Sequence, residues 1–449
     1  MNQALYLVAG LGKTGNSIAG YLHRKNLPFV VFDTRNKVEG LDEFKSRFPG
    51  VDVFLGEFPP ELYDQVIEII TSPGISLDEP FIQQAKQRNI PVVGDIECLA
   101  REIKAPVVAI TGTNGKSTVT TLVGEMAKAA GLKVAVAGNI GLPVLELLDS
   151  ADEHDLWVLE LSSFQLDLLY SLKPEASAIL NVSPDHLDRH HTMAAYTEAK
   201  QRIYRQAKTI VHNYDDSQTY PADNVKSADS VLVGYGLNQP KQQNDWGIIQ
   251  QDGRDYLAYG QQLILAVDQM LIKGRHNWQN ALAASALATA IGIKIEAVTE
   301  ILKSFAGLPH RCQWVRTLDG VDWINDSKGT NIGATISAIA GIGGSITGKI
   351  VLIAGGLGKG ADFRELRSVV SEHVRAVALI GKDAEKIEAA LSGLTDIARA
   401  ETLEQAMNKA RQYAQPGDVV LLSPACASLD MFRDFNQRGE EFTRLAEQL

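Results

Sequence analysis

The chain has 449 residues, of which 45% are hydrophobic and 22% are charged, and its formal net charge is −11 at pH 7. This composition is typical of a globular protein, and the acidic balance disfavours nonspecific binding to nucleic acid. No apolar run approaches the ~18 residues of a membrane span, and the first residues do not resemble an export leader. We therefore expect a cytoplasmic protein with no membrane span and, at roughly 150 residues per domain, about three domains.

The three cysteines are Cys98, Cys312 and Cys426, and they are far apart in the sequence. They include no Cys-x-x-Cys pair, so the sequence predicts neither a disulfide framework nor a zinc site. This cysteine usage fits a reducing compartment.

The first predicted elements form a βαβ unit. Apolar residues 4–8 precede a glycine-rich segment at 10–15, a helix follows to about Lys25, and a second apolar strand covers residues 29–32. Further buried strands are predicted at 66–70 and 91–93. We end this Rossmann-like domain near Asp95 and assign it residues 1–95.

The central third of the chain alternates strands with helices, which predicts a parallel sheet with helices on both faces. Strands are expected at 107–111, 133–137, 156–161 and 176–182, and helices at 194–204, 277–291 and 295–305. Short alternating runs between residues 231 and 267 predict a small antiparallel meander. Gly307-Leu308-Pro309 is a plausible linker, so this domain covers residues 96–307.

The last third again alternates, with strands predicted at 321–325, 349–354, 376–380 and 419–422. We expect a second Rossmann-like domain there, residues 308–449. The predicted fold is thus α/β with three consecutive domains. The central domain carries a parallel sheet of the phosphate-loop type and a subsidiary antiparallel sheet.

The richest motif is Gly-Thr-Asn-Gly-Lys-Ser-Thr at 112–118, between a predicted strand and a predicted helix. Backbone N–H groups and the positive helix end can face a triphosphate there, with Lys116 on phosphate oxygens and Ser117 on magnesium. The usual first glycine of such a loop is Ile110 here, so the motif alone leaves an incidental turn open. The candidate ATP-binding residues of the loop are Gly112, Thr113, Asn114, Gly115, Lys116, Ser117 and Thr118.

Two polar segments follow the next strands, at the edge where α/β sheets build their sites. Glu160 ends one strand and could hold magnesium, although a solvated glutamate is equally compatible with its position. The other segment, residues 181–191, contains three histidines and two aspartates. Adjacent side chains cannot all face one ion, so we choose His186 and expect the others to lie in a surface loop. Lys200, on a predicted helix, would by itself be a solvated lysine.

These motifs together resemble the Mur ligase family, which joins amino acids to a nucleotide-linked peptide precursor and includes the related folylpolyglutamate synthases. The loop at 112–118 is similar to the family's variant phosphate loop, which accounts for Ile110. The similarity spans the whole chain. It continues through residues 138–141 (Gly-Asn-Ile-Gly), 275–277 (Arg-His-Asn) with Asn280, 308–311 (Leu-Pro-His-Arg), 325–328 (Asn-Asp-Ser-Lys) and 423–428 (Ser-Pro-Ala-Cys-Ala-Ser).

The resemblance implies an ATP-dependent ligase of peptidoglycan precursor biosynthesis that works through an acyl phosphate. It places Asn277, Arg311 and Asp326 around the adenosine or the phosphates of ATP. It also implies two magnesium ions, one held by Ser117 and Glu160 and the other by His186 and Lys200, with Lys200 carbamylated. The implied catalytic residues are Lys116, His186 and Lys200.

The remaining implied sites bind the other two substrates, and Asp33-Thr34-Arg35 is similar to the members that add D-glutamate to UDP-N-acetylmuramoyl-L-alanine. The resemblance also implies small-molecule partners only, and we expect a monomer. The residues implied to contact the UDP-linked substrate are Thr14, Asp33, Thr34, Arg35, Ser72 and Asn139. Those implied to contact D-glutamate are Thr330, Lys359, Ser428, Leu429 and Phe435.

Three other functions each fit part of the sequence. Residues 10–15 and Asp33 match a dinucleotide fingerprint in spacing, which favours a nicotinamide-dependent oxidoreductase but leaves the loop at 112–118 unexplained. A nucleotide-gated switch would use that loop without any dependence on an amino acid. A folate-type ligase of the same family would not need the first domain.

Overall fold

The computed structural model describes residues 4–183, 185–358 and 360–449. The chain groups into two compact units. One contains the residues up to Gly236, Pro240–Trp246 and Ala283–Val298, and the other contains Leu237–Gln239, Gly247–Leu282 and Thr299–Leu449.

The first unit begins with a five-stranded parallel sheet in the order β3-β2-β1-β4-β5. Its strands are β1 (Leu5–Ala9), β2 (Phe29–Asp33), β3 (Val53–Leu55), β4 (Val66–Thr71) and β5 (Val92–Val93). The accompanying helices are α1 (Lys13–Arg24), α2 (Leu41–Arg47), α3 (Pro80–Gln87) and α4 (Asp95–Glu102). The predicted βαβ unit is confirmed, whereas β3 was missed because it is three half-buried residues long.

Both faces of this sheet are covered, as the continuous apolar runs in β1 and β2 require. Val8 packs with Ile18 of α1 on one face, and Leu7 packs with Ile82 of α3 on the other. All of these side chains have no exposed surface. The core therefore fixes the carboxyl ends of β1 and β4 beside the glycine-rich turn at Gly10.

The second sheet of this unit has the parallel order β11-β10-β9-β6-β8-β7. Its strands are β6 (Val107–Thr111), β7 (Val134–Gly138), β8 (Leu156–Glu160), β9 (Ala176–Ile179), β10 (Thr209–Asn213) and β11 (Val231–Tyr235). The helices are α5 (Lys116–Ala129), α6 (Ser163–Leu166), α7 (Leu187–His190) and α8 (Met193–Gln201). Residues 202–204, predicted to end the helix of α8, form a 3-10 turn instead.

The predicted antiparallel meander between residues 231 and 267 is partly wrong. β11 lies parallel to β10 in full register, so it extends the parallel sheet. The antiparallel ladder is formed by the later strands β13 (Arg254–Tyr259) and β14 (Gln262–Ala266), which follow β12 (Trp246–Gln251). Local alternation of polar and apolar residues identifies strands but not the direction of their partners. The next helices are α9 (Arg275–Ala290) and α10 (Ile295–Ser304).

The last sheet, in the second unit, has the order β15-β16-β20-β17-β18-β19. Its strands are β15 (Gln313–Leu318), β16 (Val321–Asn325), β17 (Ile350–Gly355), β18 (Val374–Ile380), β19 (Asp396–Arg399) and β20 (Val419–Leu422). The helices are α11 (Ile332–Gly343), α12 (Arg367–His373), α13 (Ala384–Leu391), α14 (Leu403–Tyr413) and α15 (Phe435–Gln448). β15 runs antiparallel to β16 and the other pairs are parallel.

The predicted α/β class is confirmed by these three sheets. The predicted domain limits, 1–95, 96–307 and 308–449, stay predictions. Within the described ranges, no helix is long and apolar enough to cross a membrane.

Candidate functional site

The phosphate loop joins β6 to α5 in the first unit. Gly115 has φ +81°, a left-handed conformation that glycine adopts without strain, and it directly precedes Lys116, the first residue of α5. No side chain in the described part of the chain caps this helix. The first N–H groups of α5 are therefore available to an anion, and the helix dipole favours negative charge there.

Two backbone amides earlier in the loop are already engaged. Asn181, which follows β9, accepts a hydrogen bond from the Asn114 N–H through Oδ1 at 2.8 Å and donates from Nδ2 to the Asn114 carbonyl at 3.1 Å. Its own carbonyl accepts from the Thr113 N–H at 2.9 Å. The amides left to cradle a phosphate are therefore those from Gly115 onward.

The Thr113 hydroxyl ties the loop to the same neighbouring segment. Its oxygen accepts from the Ser183 N–H at 3.0 Å and lies 3.2 Å from the Tyr196 hydroxyl of α8. The loop is thus hydrogen-bonded to the segment that contains His186 and to the helix that contains Lys200. These contacts of Asn181 and Tyr196 were not predicted from the sequence.

Lys116 and Lys200 meet at one backbone carbonyl. The Nζ of Lys116 donates to the Gly112 carbonyl at 2.9 Å and to the Thr113 carbonyl at 2.9 Å. The Nζ of Lys200 donates to the same Gly112 carbonyl at 2.8 Å. Two predicted catalytic residues that are 84 positions apart in the numbering, Lys116 on α5 and Lys200 on α8, therefore meet at the carbonyl that follows β6.

Lys200 is not the solvated lysine that its helix position alone suggests. Its side chain is 2% exposed, and its Nζ lies 4.5 Å from the centre of the Tyr196 ring. Burial, together with the charge of Lys116, lowers the pKa of Lys200 to about 7, against the opposing charge of Asp185. A substantial fraction of this amine is consequently neutral and nucleophilic near neutral pH.

Glu160 lies at the end of β8 with one unsatisfied oxygen. Its Oε1 accepts from Asn139 Nδ2 at 2.9 Å, whereas its Oε2 is buried and has no hydrogen-bond partner among the described residues. Gly138 permits this approach, since a Cβ there would lie 2.1 Å from the Glu160 carbonyl. A buried carboxylate oxygen with no donor suits a cation. Asn139, implied for the UDP-linked substrate, is bound to Glu160 here.

His186, which stays a predicted metal ligand, and His191 are both exposed. The His186 side chain is 48% exposed, and its ring lies edge-on to Phe164 with 5.0 Å between centroids. The prediction that His190 lies in a surface loop is wrong, because His190 is buried, stacks on Phe164 and lies 2.9 Å from the Ser163 hydroxyl. Within the described ranges, no group of three or more His, Cys, Asp or Glu side chains is arranged around a metal position.

The glycine-rich turn after β1 forms a tight cradle. Gly10 has φ +93°, and a Cβ on Gly15 would lie 1.7 Å from the Gly10 carbonyl, so both positions require glycine. The Ser72 hydroxyl, 3.0 Å from the Cβ that Gly10 lacks, is buried without a hydrogen-bond partner in the described part of the chain. Thr14 is half-buried in the first turn of α1. This arrangement suits a diphosphate.

Asp33 organises this cradle from the end of β2. Its Oδ2 accepts from the Leu11 N–H at 2.7 Å, and both of its oxygens accept from the Arg35 guanidinium at 2.7–2.8 Å. Burial acts to raise the pKa of Asp33, but the Arg35 guanidinium and the Leu11 and Arg35 amides outweigh it, so the pKa is lowered. Thr34 and Arg35 are exposed beside it. Asp33 itself is 3% exposed, so it positions Arg35 rather than presenting a free carboxylate.

In the second unit, Asp326 follows β16 and is buried. Its Oδ2 accepts from the Ser423 hydroxyl at 2.7 Å and its Oδ1 accepts from the Cys312 N–H at 3.2 Å. Arg311 is exposed. Asn277, also buried, donates from Nδ2 to the Lys273 carbonyl at 2.8 Å.

The residues implied for D-glutamate follow β16 and β20, whose carboxyl ends are adjacent. Thr330 is half-buried, Ser428 is buried, and the exposed Leu429 follows it. The Phe435 ring lies 4.9 Å from the Lys328 Nζ. Lys359 lies outside the described residues.

Arg438 is a residue that the sequence analysis missed. Its guanidinium is buried and donates to the Ser327 hydroxyl and carbonyl and to the Cys426 carbonyl, which ties the segments after β16 and β20 to α15. The signal was available, because Arg438 falls on the apolar stripe of α15 with Phe435, Phe442 and Leu445.

Three family models match the chain. They are the Mur ligase MurD-like N-terminal domain at residues 4–94, the Mur ligase middle domain at 110–288 and the Mur ligase glutamate ligase domain at 310–426. A UDP-N-acetylmuramoylalanine–D-glutamate ligase of Legionella pneumophila is 63% identical over 443 residues, covering 99% of both chains. Another from Pseudomonas aeruginosa is 49% identical over 444 residues, covering 99% of this chain and 98% of that protein.

Solved structures share the fold at lower identity. A UDP-N-acetylmuramoyl-L-alanyl-D-glutamate–2,6-diaminopimelate ligase superposes with a TM-score of 0.61 at 19% identity, covering 99% of this chain and 93% of that chain. A UDP-N-acetylmuramate–alanine ligase of Thermotoga maritima gives a TM-score of 0.55 at 18% identity, covering 99% of both chains. With the matched domains and these relatives at high identity, the chain belongs to the Mur ligase family.

Proposed function

We propose that the protein is an ATP-dependent ligase that adds D-glutamate to UDP-N-acetylmuramoyl-L-alanine in peptidoglycan precursor biosynthesis. The relatives that share 63% and 49% identity carry that activity in their names. The proposal includes three functional domains, at residues 1–95, 96–307 and 308–449, and a monomeric protein acting in the cytoplasm, where ATP is present.

The reaction needs activation, because a carboxylate is a poor electrophile and an ammonium group is not a nucleophile. The γ-phosphoryl group of ATP moves to the terminal alanine carboxylate, giving an acyl phosphate and ADP. The amine of D-glutamate then attacks the acyl carbon, losing a proton as the amide forms and phosphate leaves. Lys116 and the N–H groups at the start of α5 stabilise the charge that develops on the transferred phosphoryl oxygens.

Magnesium, when bound, supplies positive charge that offsets the repulsion between a carboxylate and a triphosphate. The unsatisfied Oε2 of Glu160 fits such an ion, and Ser117 lies in the first turn of α5 as the second proposed ligand of one site. A second site is proposed at His186 and a carbamylated Lys200.

The environment of Lys200 favours carbamylation. A lysine carbamate forms when a neutral amine attacks carbon dioxide and loses a proton, which turns a cation into a carboxylate-like ligand. Lys200 is buried, lies beside a second lysine and donates to a carbonyl rather than to a carboxylate. Burial and the charge of the second lysine both disfavour the charged ammonium form.

The remaining substrates are assigned to the two other sheets. The cradle at Gly10, Gly15 and Ser72, with Arg35 held by Asp33, is proposed to bind the UDP moiety. Contacts to D-glutamate are proposed from the segments after β16 and β20 and from Lys359. Their residues are Thr330, Lys359, Ser428, Leu429 and Phe435. Asn277, Arg311 and Asp326 are proposed to contact ATP.

The observation that carries the proposal is the convergence of Lys116 and Lys200 on the Gly112 carbonyl, beside an open helix end. The test measures phosphate release from ATP with UDP-N-acetylmuramoyl-L-alanine and a panel of amino acids. We expect release with D-glutamate and background release with L-glutamate, L-alanine or diaminopimelate. Release with another amino acid of the panel would support the ligase reaction but would contradict the assignment of D-glutamate as the substrate.

A further inference from the structure

A buried polar network between the carboxyl ends of β16 and β20 centres on Ser423. The Ser423 Oγ lies 2.7 Å from Asp326 Oδ2 and 3.0 Å from Thr335 Oγ1 of α11. Ser423 and Thr335 have no exposed surface, and Asp326 retains 7%. The hydroxyls therefore face Asp326 inside the domain, whereas only Asp326 reaches the surface.

Each hydroxyl group of this network has one proton to donate, and its acceptor can be assigned. Ser423 has one hydroxyl proton, and it goes to Asp326 because an ionised carboxylate only accepts and this contact is the shortest. Thr335 Oγ1 accepts from the Ala425 N–H at 3.0 Å and donates to the Ser423 carbonyl at 3.3 Å, and it lies 3.0 Å from Ser423 Oγ as a second acceptor for that hydroxyl. Thr335 therefore holds the backbone of Ser423 and Ala425, which fixes the position from which the Ser423 hydroxyl donates to Asp326.

Gly329 leaves room for this contact. A Cβ there would lie 2.6 Å from Asp326 Oδ2 and 2.7 Å from Ser423 Oγ, so any side chain at 329 would displace the hydrogen bond between them. The Gly329 N–H donates to the Asp326 carbonyl at 2.8 Å, and the Asp326 N–H donates to the Leu422 carbonyl at 2.7 Å. Backbone and side chain of Asp326 are therefore both fixed.

We propose that Ser423 and Thr335 are positioning residues for ATP binding, which hold the Asp326 carboxylate ionised and in one orientation toward the nucleotide. This inference rests on the proposed function, in which Asp326 contacts ATP. Neither hydroxyl touches the nucleotide, because neither has any exposed surface. Their effect passes entirely through Asp326.

The pH dependence of ATP binding distinguishes this role from a purely structural one. Burial raises the pKa of Asp326 to about 6, against the Ser423 hydroxyl, the Cys312 amide and thiol, and the charge of Arg311. The charges of Arg438 and Asp326 also act on each other. Without the Ser423 hydroxyl this pKa rises further. Because the ionised carboxylate is the binding form, the loss of affinity on acidification then begins at a higher pH.

The experiment measures the Kd for ATP by calorimetry, with magnesium and without the other substrates. The pH is varied between about 5.5 and about 8, a range that includes the Asp326 pKa of about 6. We expect Ser423→Ala to raise the Kd roughly tenfold at neutral pH and more in acid, since a hydrogen bond to a charged group is lost. Thr335→Val should raise it less, and Thr335→Ser, which keeps the hydroxyl, should restore binding. Ser337→Ala is the control, because Ser337 is exposed on the same helix and its hydroxyl donates to the Gly333 carbonyl.

The outcomes separate this inference from the proposed function. A wild-type protein that binds ATP, with a Ser423→Ala variant of equal Kd at every pH, overturns the positioning role. A wild-type protein that does not bind ATP overturns the proposed function instead. If Ser423→Ala does not fold, the comparison of Thr335→Val with Thr335→Ser decides the question in the same way.

Discussion

Asn181 pairs with Asn114 of the phosphate loop through both ends of its carboxamide, at 2.8 Å to the Asn114 N–H and 3.1 Å to the Asn114 carbonyl. The carboxamide thus makes the two hydrogen bonds to the Asn114 backbone that a neighbouring strand would otherwise make. It fixes the loop in the shape that leaves the amides of Gly115 and the first turn of α5 open to an anion. Asn181 therefore shapes the candidate ATP site through the loop.

Replacing Asn181 should weaken ATP binding more than it weakens the fold. In Asn181→Ala the loop loses both side-chain bonds, so we expect the Kd for ATP to rise roughly tenfold. The free energy of unfolding should fall by only about 1 kcal/mol, because Asn114 is exposed and water can replace the lost partner. Calorimetry and thermal unfolding measure the two effects. Asn224→Ala, at an exposed position away from the site, is the matched control, and equal ATP affinities in the two variants would contradict the role of Asn181.

Lys200→Ala should abolish turnover, and short carboxylic acids such as acetate should partly restore it. The reason is that a carbamate on Lys200 provides a carboxylate-like group, which a small acid can replace in the space that alanine leaves. Lys200→Arg leaves no such space and should not be rescued. Carbon-13 NMR of protein equilibrated with labelled bicarbonate should show a carbamate signal that is missing in Lys200→Ala. Absence of both the signal and the rescue would rule out the modification.

Asp33→Asn should raise the KM for the UDP-linked substrate and leave kcat nearly unchanged, because it releases Arg35 without removing it. It should also lower the free energy of unfolding at neutral pH. The folded-state pKa of Asp33 is lowered, so its stabilisation is present above the unfolded value of about 3.9 and is lost as the pH falls through the folded value. Denaturant titrations at pH 7 and near pH 3 measure this difference.

Asp362→Asn is the control for that experiment. Asp362 and Arg364 are two positions apart, as Asp33 and Arg35 are, and the guanidinium contacts both carboxylate oxygens in the same way. Both side chains of the Asp362–Arg364 pair, however, lie at the surface. We expect little change in stability there, since solvent screens an exposed ion pair. Equal losses in Asp33→Asn and Asp362→Asn would show that burial of Asp33 has no effect.

The strands that sequence alone predicted are those with continuous apolar runs, such as β6 and β20, whose residues are all buried. The strands that it missed are short or half-polar, such as β19, Asp396–Arg399, which has no buried residue. The parallel direction of β11 was also inaccessible, because it depends on pairing with β10 rather than on local pattern.

The residues of the candidate site likewise fall into those that the local sequence indicates and those that only the tertiary structure reveals. The loop at 112–118 and Glu160 were found because their residue types and their places after strands carry the chemistry. The contact of Asn181 with Asn114 joins residues that are 67 positions apart, and that of Ser423 with Asp326 joins residues 97 apart. Such contacts depend on which strands are neighbours in the sheet, and the local sequence does not encode this.

The reaction proposed for this protein is the formation of an amide with D-glutamate, coupled to the conversion of ATP to ADP and phosphate. The most direct test incubates it with ATP, magnesium and UDP-N-acetylmuramoyl-L-alanine in an equal mixture of carbon-13-labelled D-glutamate and unlabelled L-glutamate, and measures the product by mass spectrometry. We predict a product that carries only the heavy label, with one ADP formed for each amide. A light product, an equal mixture, or ADP formed without any amide would show that the protein is not a D-glutamate ligase.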